Sequence, residues 1–180
     1  SGITSFMAAN DLSDEIYLRY ELELNGFGEY IVNENHLKDV IGESKALILM
    51  ESHINGLHSQ NVLFQKLTLL GIKFDSFISP DSKIHDSVRI KPNSIISSGV
   101  IINKGVQLGT CVCIGEGTYI GQSVKLNNFI NIQSFVKLGS LTSIGAMSTI
   151  AEGTIISPGT RIGRGVFVGY KKHIQADIED

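Results

Sequence analysis

Few side chains in this chain have chemistry to offer. Two of its five histidines, His53 and His58, fall in Glu51-Ser52-His53-Ile54-Asn55-Gly56-Leu57-His58. That stretch follows the continuous apolar run Ala46-Leu47-Ile48-Leu49-Met50. A loop leaving the C-terminal end of a buried strand is where α/β domains bind ligands, so Glu51, Ser52 and His53 are candidates for substrate binding. The same residues also read as a polar loop that caps the helix after them. Lys171-Lys172-His173 forms a short basic run that suits either an anionic group or a solvated turn. Gly115-Glu116-Gly117 is ordinary turn chemistry, and His85 reads as a surface residue at a corner. Beyond residue 78 only His85 and His173 remain, too few for a three-histidine zinc site.

These residues must be positioned by a repeat. From Ile78 to Ile174 every sixth residue is Ile, Leu or Val, seventeen positions in unbroken register. A second column, from Ser82 to Val166, stands four residues after each and is small or β-branched throughout. A period of six fits neither an amphipathic helix nor a half-buried strand. It fits a chain that turns a corner every six residues and stacks on itself as a parallel β-helix, three hexads to a coil of eighteen. The large residue and the small one two positions before it both point inward, because side chains alternate along a strand. Glycine often follows the large residue directly, as at Gly109, Gly115, Gly121, Gly139, Gly145, Gly163 and Gly169, where it is expected to supply corner backbone angles that other residues resist. Cys111 and Cys113 fall at positions read as outward-facing, and the simple reading is reduced thiols in a cytoplasmic protein. Asn127, Asn128, Asn131 and Gln133 interrupt the glycine pattern. Their amides either stack between coils or line a cleft.

Ahead of the repeat the pattern changes. Ile16, Leu18, Tyr20, Leu22 and Leu24 alternate like a strand that turns at Asn25-Gly26. The same stretch can be read as a helix from Ser13 to Gly26. Glu29–Val32 is a short strand candidate and 35–42 a short helix. Ala46–Met50 reads as a strand buried on both faces. Ser59 can cap a helix to about Leu70, with Val62, Leu63, Leu67 and Leu70 inward and Gly71 ending it. Strand, helix and return strand make a βα unit. The division is therefore 1–75 as a small α/β domain, 76–174 as the β-helix and 175–180 as a C-terminal tail. The fold class is mainly β.

Composition sets further bounds. At 180 residues, 42% hydrophobic and 18% charged, the chain is globular. A net charge of −3 makes no general electrostatic case for nucleic acid or an anionic membrane. No apolar run approaches the roughly 20 residues of a spanning helix, and the start carries no basic stretch of the kind that opens a signal peptide.

The repeat, together with Leu70-Gly71-Ile72-Lys73-Phe74-Asp75-Ser76-Phe77-Ile78-Ser79-Pro80 at the junction, resembles the hexapeptide-repeat, left-handed β-helix acyltransferases. Within them it is similar to the bacterial acetyltransferases of sialic acid, bacillosamine precursors and perosamine-type sugars, in which a small Rossmann-like domain precedes the β-helix. The resemblance covers roughly residues 29–174. The phosphate-loop glycines expected after a first strand are missing, so that domain reads as either truncated or degenerate. The resemblance implies a homotrimer, acetyl-CoA as co-substrate, and a sugar or nucleotide-sugar amine or hydroxyl as acceptor, in surface-polysaccharide or glycan synthesis. Its catalytic histidine block, Glu-His-Asp, falls on Gly115-Glu116-Gly117. Glu116 thus stands where the base is expected, with the Ser134 amide as oxyanion donor. A second family histidine falls at Lys125. Gly145, Ala146, Ala151 and Gly163 are implied for the CoA wall, and Lys171 and Lys172 for the CoA 3′-phosphate. Three readings of Glu116 stay open: a carboxylate base raised by burial at a subunit seam, a relative without catalysis, or a plain corner residue. The alternative function is accordingly a non-catalytic hexapeptide-repeat protein that binds or scaffolds.

Overall fold

The computed structural model describes residues 5–9, 15–22, 26–33, 47 and 56–180. Contacts divide the chain into two compact units, Ser1–Ser76 and Phe77–Asp180, and each is described by itself.

In the first unit, β1 (Ser5–Ala9), β2 (Glu15–Leu22) and β3 (Gly26–Asn33) form an antiparallel sheet in the order β1-β2-β3. Leu22 pairs with Gly26 across the turn. The alternating reading therefore prevails over the helical one as far as Leu22, and Gly26, expected in the turn, opens β3. The strand Ala46–Met50 (Leu47 apart), the helix 35–42 and the loop residues Glu51, Ser52 and His53 lie outside the described residues. Helix α1 spans Gly56–Leu69, beginning three residues before the expected cap at Ser59. Its buried residues explain the shift: Leu57 and Leu67 are both buried, and ten residues apart they share one face. Val62, expected on the inner face, lies off that line and is 39% exposed. Phe64 stacks on Phe74 with ring centroids 4.4 Å apart. The helix ends as expected at Gly71, whose φ of 77° suits a residue without Cβ. Ile72 N–H donates to the Leu67 carbonyl at 3.0 Å and Gly71 N–H to Thr68 at 2.9 Å, the paired closure of a Schellman motif.

The second unit is a parallel β-helix. Seventeen short strands, β4 (Phe77–Ile78) to β20 (His173–Ile174), form three parallel sheets of six, six and five strands. Each residue pairs with the one eighteen positions on, as in Phe77↔Ile95 and Ile114↔Ile132. The three faces begin with β4, β5 (Lys83–Ile84) and β6 (Arg89–Ile90). The hexad column fills the interior: Ile96, Ile114, Ile120, Ile132, Leu138, Ile144 and Ile150 are fully buried. Each such side chain contributes about 1.5–3 kcal/mol. The second column is inward too, with Val100, Val106, Val112 and Val124 buried. Most of its hydroxyls are satisfied locally, Thr160 apart. Thr118 Oγ1 donates to the Gln133 carbonyl at 3.0 Å, Ser148 Oγ to Gly163 at 2.8 Å and Thr154 Oγ1 to Gly169 at 2.8 Å. At these positions a Ser or Thr stands where Val stands elsewhere without leaving a buried donor unpaired.

The glycine expectation needs correction. The glycines directly after the large residue do not carry the left-handed backbone. That conformation occupies a different column, two residues further on, at every sixth position from Asn93 to Lys171. Gly99, Gly105, Gly117, Gly153, Gly159 and Gly165 share it with Asn93, Cys111, Ser123, Phe129, Phe135, Leu141, Met147 and Lys171, all with φ between 51° and 77°. An L-residue there costs about 1–2 kcal/mol. The glycines after the large residue are small for another reason, the close approach of the next coil. A Cβ on Gly115 would lie 2.5 Å from Ser134 N, one on Gly139 2.4 Å from Pro158 N, and one on Gly145 2.4 Å from the Gly163 carbonyl carbon. Gly169, in the final coil, would meet only a lysine methylene at 3.9 Å.

Residues 175–180 continue the winding. Ile178 bridges to Ile162 in parallel register. The Asp177 carboxylate accepts from Arg161 N–H at 2.7 Å, and Asp180 accepts from Arg164 N–H. Those amides face away from the coils below, and the two carboxylates take the place of a further strand.

Candidate functional site

The site is built by register. β10 (Val112–Ile114) pairs with β13 (Ile130–Ile132), so Glu116 and Ser134 occupy the same corner position in successive coils, about 4.8 Å apart. The corner is tied into the coils around it. Glu116 O accepts from Phe135 N–H at 2.8 Å, Gly117 N–H donates to Ser98 O at 3.0 Å, and Gly153 N–H donates to Ser134 O at 3.1 Å. Because Gly115 has no Cβ, the Ser134 nitrogen can come in against it. At some equivalent corner positions a side chain of a neighbouring coil caps the amide, whereas at Ser98, Glu116, Asn128 and Ser140 no described residue does. Asn128 Oδ1 accepts from Thr110 N–H at 3.0 Å, Ser140 Oγ from Gln122 N–H at 3.1 Å, and Gln133 Oε1 from Glu152 N–H at 3.0 Å. The Ser134 N–H donates to none of the described residues. An exposed carboxylate and an uncapped backbone donor thus stand one coil apart, the two components that acyl transfer requires.

The other predicted residues divide between two corners. Ala151, Lys171 and Lys172 belong to the Glu116 corner, higher in the stack. Ala151 is fully buried, while both lysines are exposed. Gly145, Ala146 and Gly163 belong to the corner that precedes the face of β16 (Thr149–Ile150). The space a side chain would take at Gly145 and Gly163 is filled by backbone of the following coil or by Asp180. Coil packing accounts for these glycines without a ligand. Between the two corners lies the face whose outward column is Phe77, Ile95, Cys113, Asn131, Thr149 and Phe167. It carries no charged side chain. Among the described residues no group of three or more His, Cys, Asp or Glu could hold a metal.

Several engagements escape pattern reading. His173 Nε2 lies 3.1 Å from Ser157 Oγ, on a different face from Glu116. His85, at the corner where it was expected, accepts at Nδ1 from Ser87 N–H at 3.1 Å. Asp81 accepts from the hydroxyls of Ser79 and Ser98 and from Gly99 N–H at 3.2 Å. The two hydroxyls, with the backbone amides, hold its carboxyl below the usual carboxylate range. The amides of Asn128 and Gln133 bridge coils, as one of the two readings required. The reading of Cys111 as outward is corrected. It is buried, with Asn93 Nδ2 3.3 Å from its sulfur, and burial pushes its thiol up to about 12. Cys113 is partly buried and is pushed up to about 11 by the same cause.

No family model and no curated relative matches the chain. Solved structures do match in fold. A perosamine N-acetyltransferase mutant from Caulobacter crescentus, in complex with CoA and GDP-perosamine, superposes with TM-score 0.74 at 20% identity, over 82% of this chain and 67% of that one. The acetyltransferase domain of PglB from Neisseria gonorrhoeae FA1090, in complex with acetyl coenzyme A, superposes with TM-score 0.76 at 22% identity, over 88% of this chain and 75% of that one. At these identities the likeness is one of fold.

Proposed function

We propose that this protein is an acetyl-CoA-dependent acyltransferase whose acceptor is a sugar or nucleotide-sugar amine or hydroxyl. The observation that carries the reading is the stacking of the exposed Glu116 carboxylate and the Ser134 N–H at one corner of successive coils. It is supported by a fold shared with sugar acetyltransferases that bind CoA or acetyl coenzyme A. In the reaction, the acceptor nitrogen or oxygen attacks the thioester carbonyl. Glu116 takes the proton the acceptor loses, and the Ser134 N–H stabilises the oxyanion. The C–S bond then breaks, and the proton passes to the departing CoA thiolate. Lys171 and Lys172, exposed above the same corner, meet the CoA 3′-phosphate. The acting form is a homotrimer, the compartment is the cytoplasm, and the pathway is bacterial surface-glycan synthesis. Among the described residues no helix is long and apolar enough to cross a membrane.

The test is release of the CoA thiol from acetyl-CoA over a panel of amino sugars and their nucleotide conjugates. Glu116→Gln is expected to lower kcat at least 100-fold with little change in KM for acetyl-CoA, within the range for loss of a general base. Unchanged turnover in this variant removes Glu116 from the mechanism. A second reading, a protein that binds or scaffolds without turnover, is favoured by the lack of a histidine at this corner. It predicts no release of the CoA thiol with any acceptor.

A further inference from the structure

The three faces of the β-helix differ in what they show to solvent. On the face that begins with β6, the strands β9 (Gln107–Leu108), β12 (Lys125–Leu126), β15 (Ser143–Ile144) and β18 (Arg161–Ile162) follow in register. Its outward column is Arg89, Gln107, Lys125, Ser143 and Arg161. A cation stands at every second level, with an uncharged hydrogen-bonding side chain between. Neighbouring strands lie about 4.8 Å apart, so successive cations are ~9.6 Å apart. All three cations are exposed. Among the described residues, their guanidinium and ammonium groups have no hydrogen-bond or ion-pair partner.

The borders of the face keep the same sign. Lys104 and Arg164 stand at its two corners. Acidic side chains border it at the ends, with Asp86 at the foot and the 177–180 carboxylates at the head, where Asp177 and Asp180 are engaged by backbone N–H groups. The other faces lack the alternation. One has the uncharged column described above, and the other reads Lys83, Ile101, Tyr119, Lys137, Ile155 and His173. Like charges stacked in register repel one another, and the interior packing of the coils does not require them.

A flat surface with charge at alternate levels suits an extended ligand whose own charge alternates. Nucleic acid carries a charge on every unit. An extended peptide repeats on one face every ~6.6 Å, out of step with the cations. In an extended chain of pyranoses each ring advances by close to one coil level. A chain with a carboxylate on every second sugar therefore meets Arg89, Lys125 and Arg161 in turn, while Gln107 and Ser143 meet hydroxyls of the uncharged sugars between. We infer that this face binds a linear acidic glycan whose carboxylates lie on alternate sugars. The face lies across the prism from the Glu116–Ser134 corner, and its ligand is a polymer rather than the acceptor of acyl transfer, so the inference stands apart from that reaction.

Fluorescence anisotropy of an end-labelled hyaluronan hexasaccharide, in which every second sugar carries a carboxylate, tests this on the full chain. The parent is expected to bind saturably at low ionic strength and more weakly as salt rises. The deciding variant is Lys125→Gln/Ser143→Lys, which keeps the net charge and moves the central cation one level out of step. It is expected to bind at least fivefold more weakly, with its β-sheet circular dichroism retained, and Lys125→Arg is expected to bind like the parent. If the double variant lowers the dichroism, Lys125→Gln gives the same readout with one substitution. A parent that does not bind the hexasaccharide overturns the proposal, as does a folded out-of-step variant that binds as well as the parent. Tighter binding of a single-stranded oligonucleotide or a polyglutamate of equal charge also overturns it, because the alternation would then select nothing.

Discussion

At the scale of single residues, environment decides which groups are available for chemistry. Cys111 and Cys113 are nucleophiles by type, yet burial pushes their thiols to about 12 and about 11. Little thiolate exists near neutral pH, and the expected outcome is that neither reacts with a disulfide reagent at pH 8 until the chain unfolds. Their raised values also set a sign. Both contribute stability below the ordinary thiol value of about 8.5 that is lost as pH rises through the folded values. Asp81 works in the opposite sense. Its folded value is lowered, first by the Ser79 hydroxyl and then by Ser98. Its contribution is therefore present above about pH 4 and lost as pH falls through the lowered folded value. Asp81→Asn should flatten the acid limb of stability, read as urea midpoints at pH 7 and pH 3. Glu116 could be placed by counting, because it and Ser134 are eighteen residues apart and the coil is eighteen long. That the Ser134 amide lacks a cap could not be read in advance. Capping depends on whether a neighbouring coil offers an Asn, Ser or Gln oxygen in reach, as Asn128 and Ser140 do from the coil above and Gln133 from the coil below.

At the scale of the coil, two classes of glycine make different predictions. Gly159 has φ of 77° and nothing within 4 Å of an added Cβ, whereas Gly145 has an ordinary φ and backbone 2.4 Å away. Gly159→Ala should cost about 1–2 kcal/mol from backbone strain alone, and Gly159→Asn less, since Asn93 already occupies that column. Gly145→Ala should cost about 1–3 kcal/mol through overpacking, with Gly145→Asn at least as damaging. Chemical denaturation of the four variants separates the two causes, and a milder effect of Asn than Ala at Gly145 would contradict the assignment. Burial in the interior is a third case: Ile132→Ala should cost about 2–5 kcal/mol. The interior column was legible because its members share a chemical type. The left-handed column was not, because Asn93, Cys111, Phe129 and Lys171 share only a backbone angle, and periodicity in side-chain type is blind to that. The start of α1 was misplaced for a related reason. Ser59 is a good cap by type, but burial of Leu57 extends the helix past it.

At the scale of the molecule, the β-helix brings residues distant in sequence to one corner, and the functional account depends on that stacking. Glu116, Ser134, Lys171 and Lys172 share a corner because their register does. If the two lysines meet the CoA 3′-phosphate, Lys171→Glu/Lys172→Glu should weaken acetyl-CoA at least tenfold and leave acetyl-dephospho-CoA nearly unaffected, the loss shrinking as salt rises. The most direct measurement is a calorimetric titration of the full chain with acetyl-CoA, using acetyl-dephospho-CoA as the comparison ligand. The account predicts saturable binding with one site per chain, tighter for acetyl-CoA than for its dephospho form. The absence of saturable heat with either ligand, from a chain shown to be folded, would contradict it.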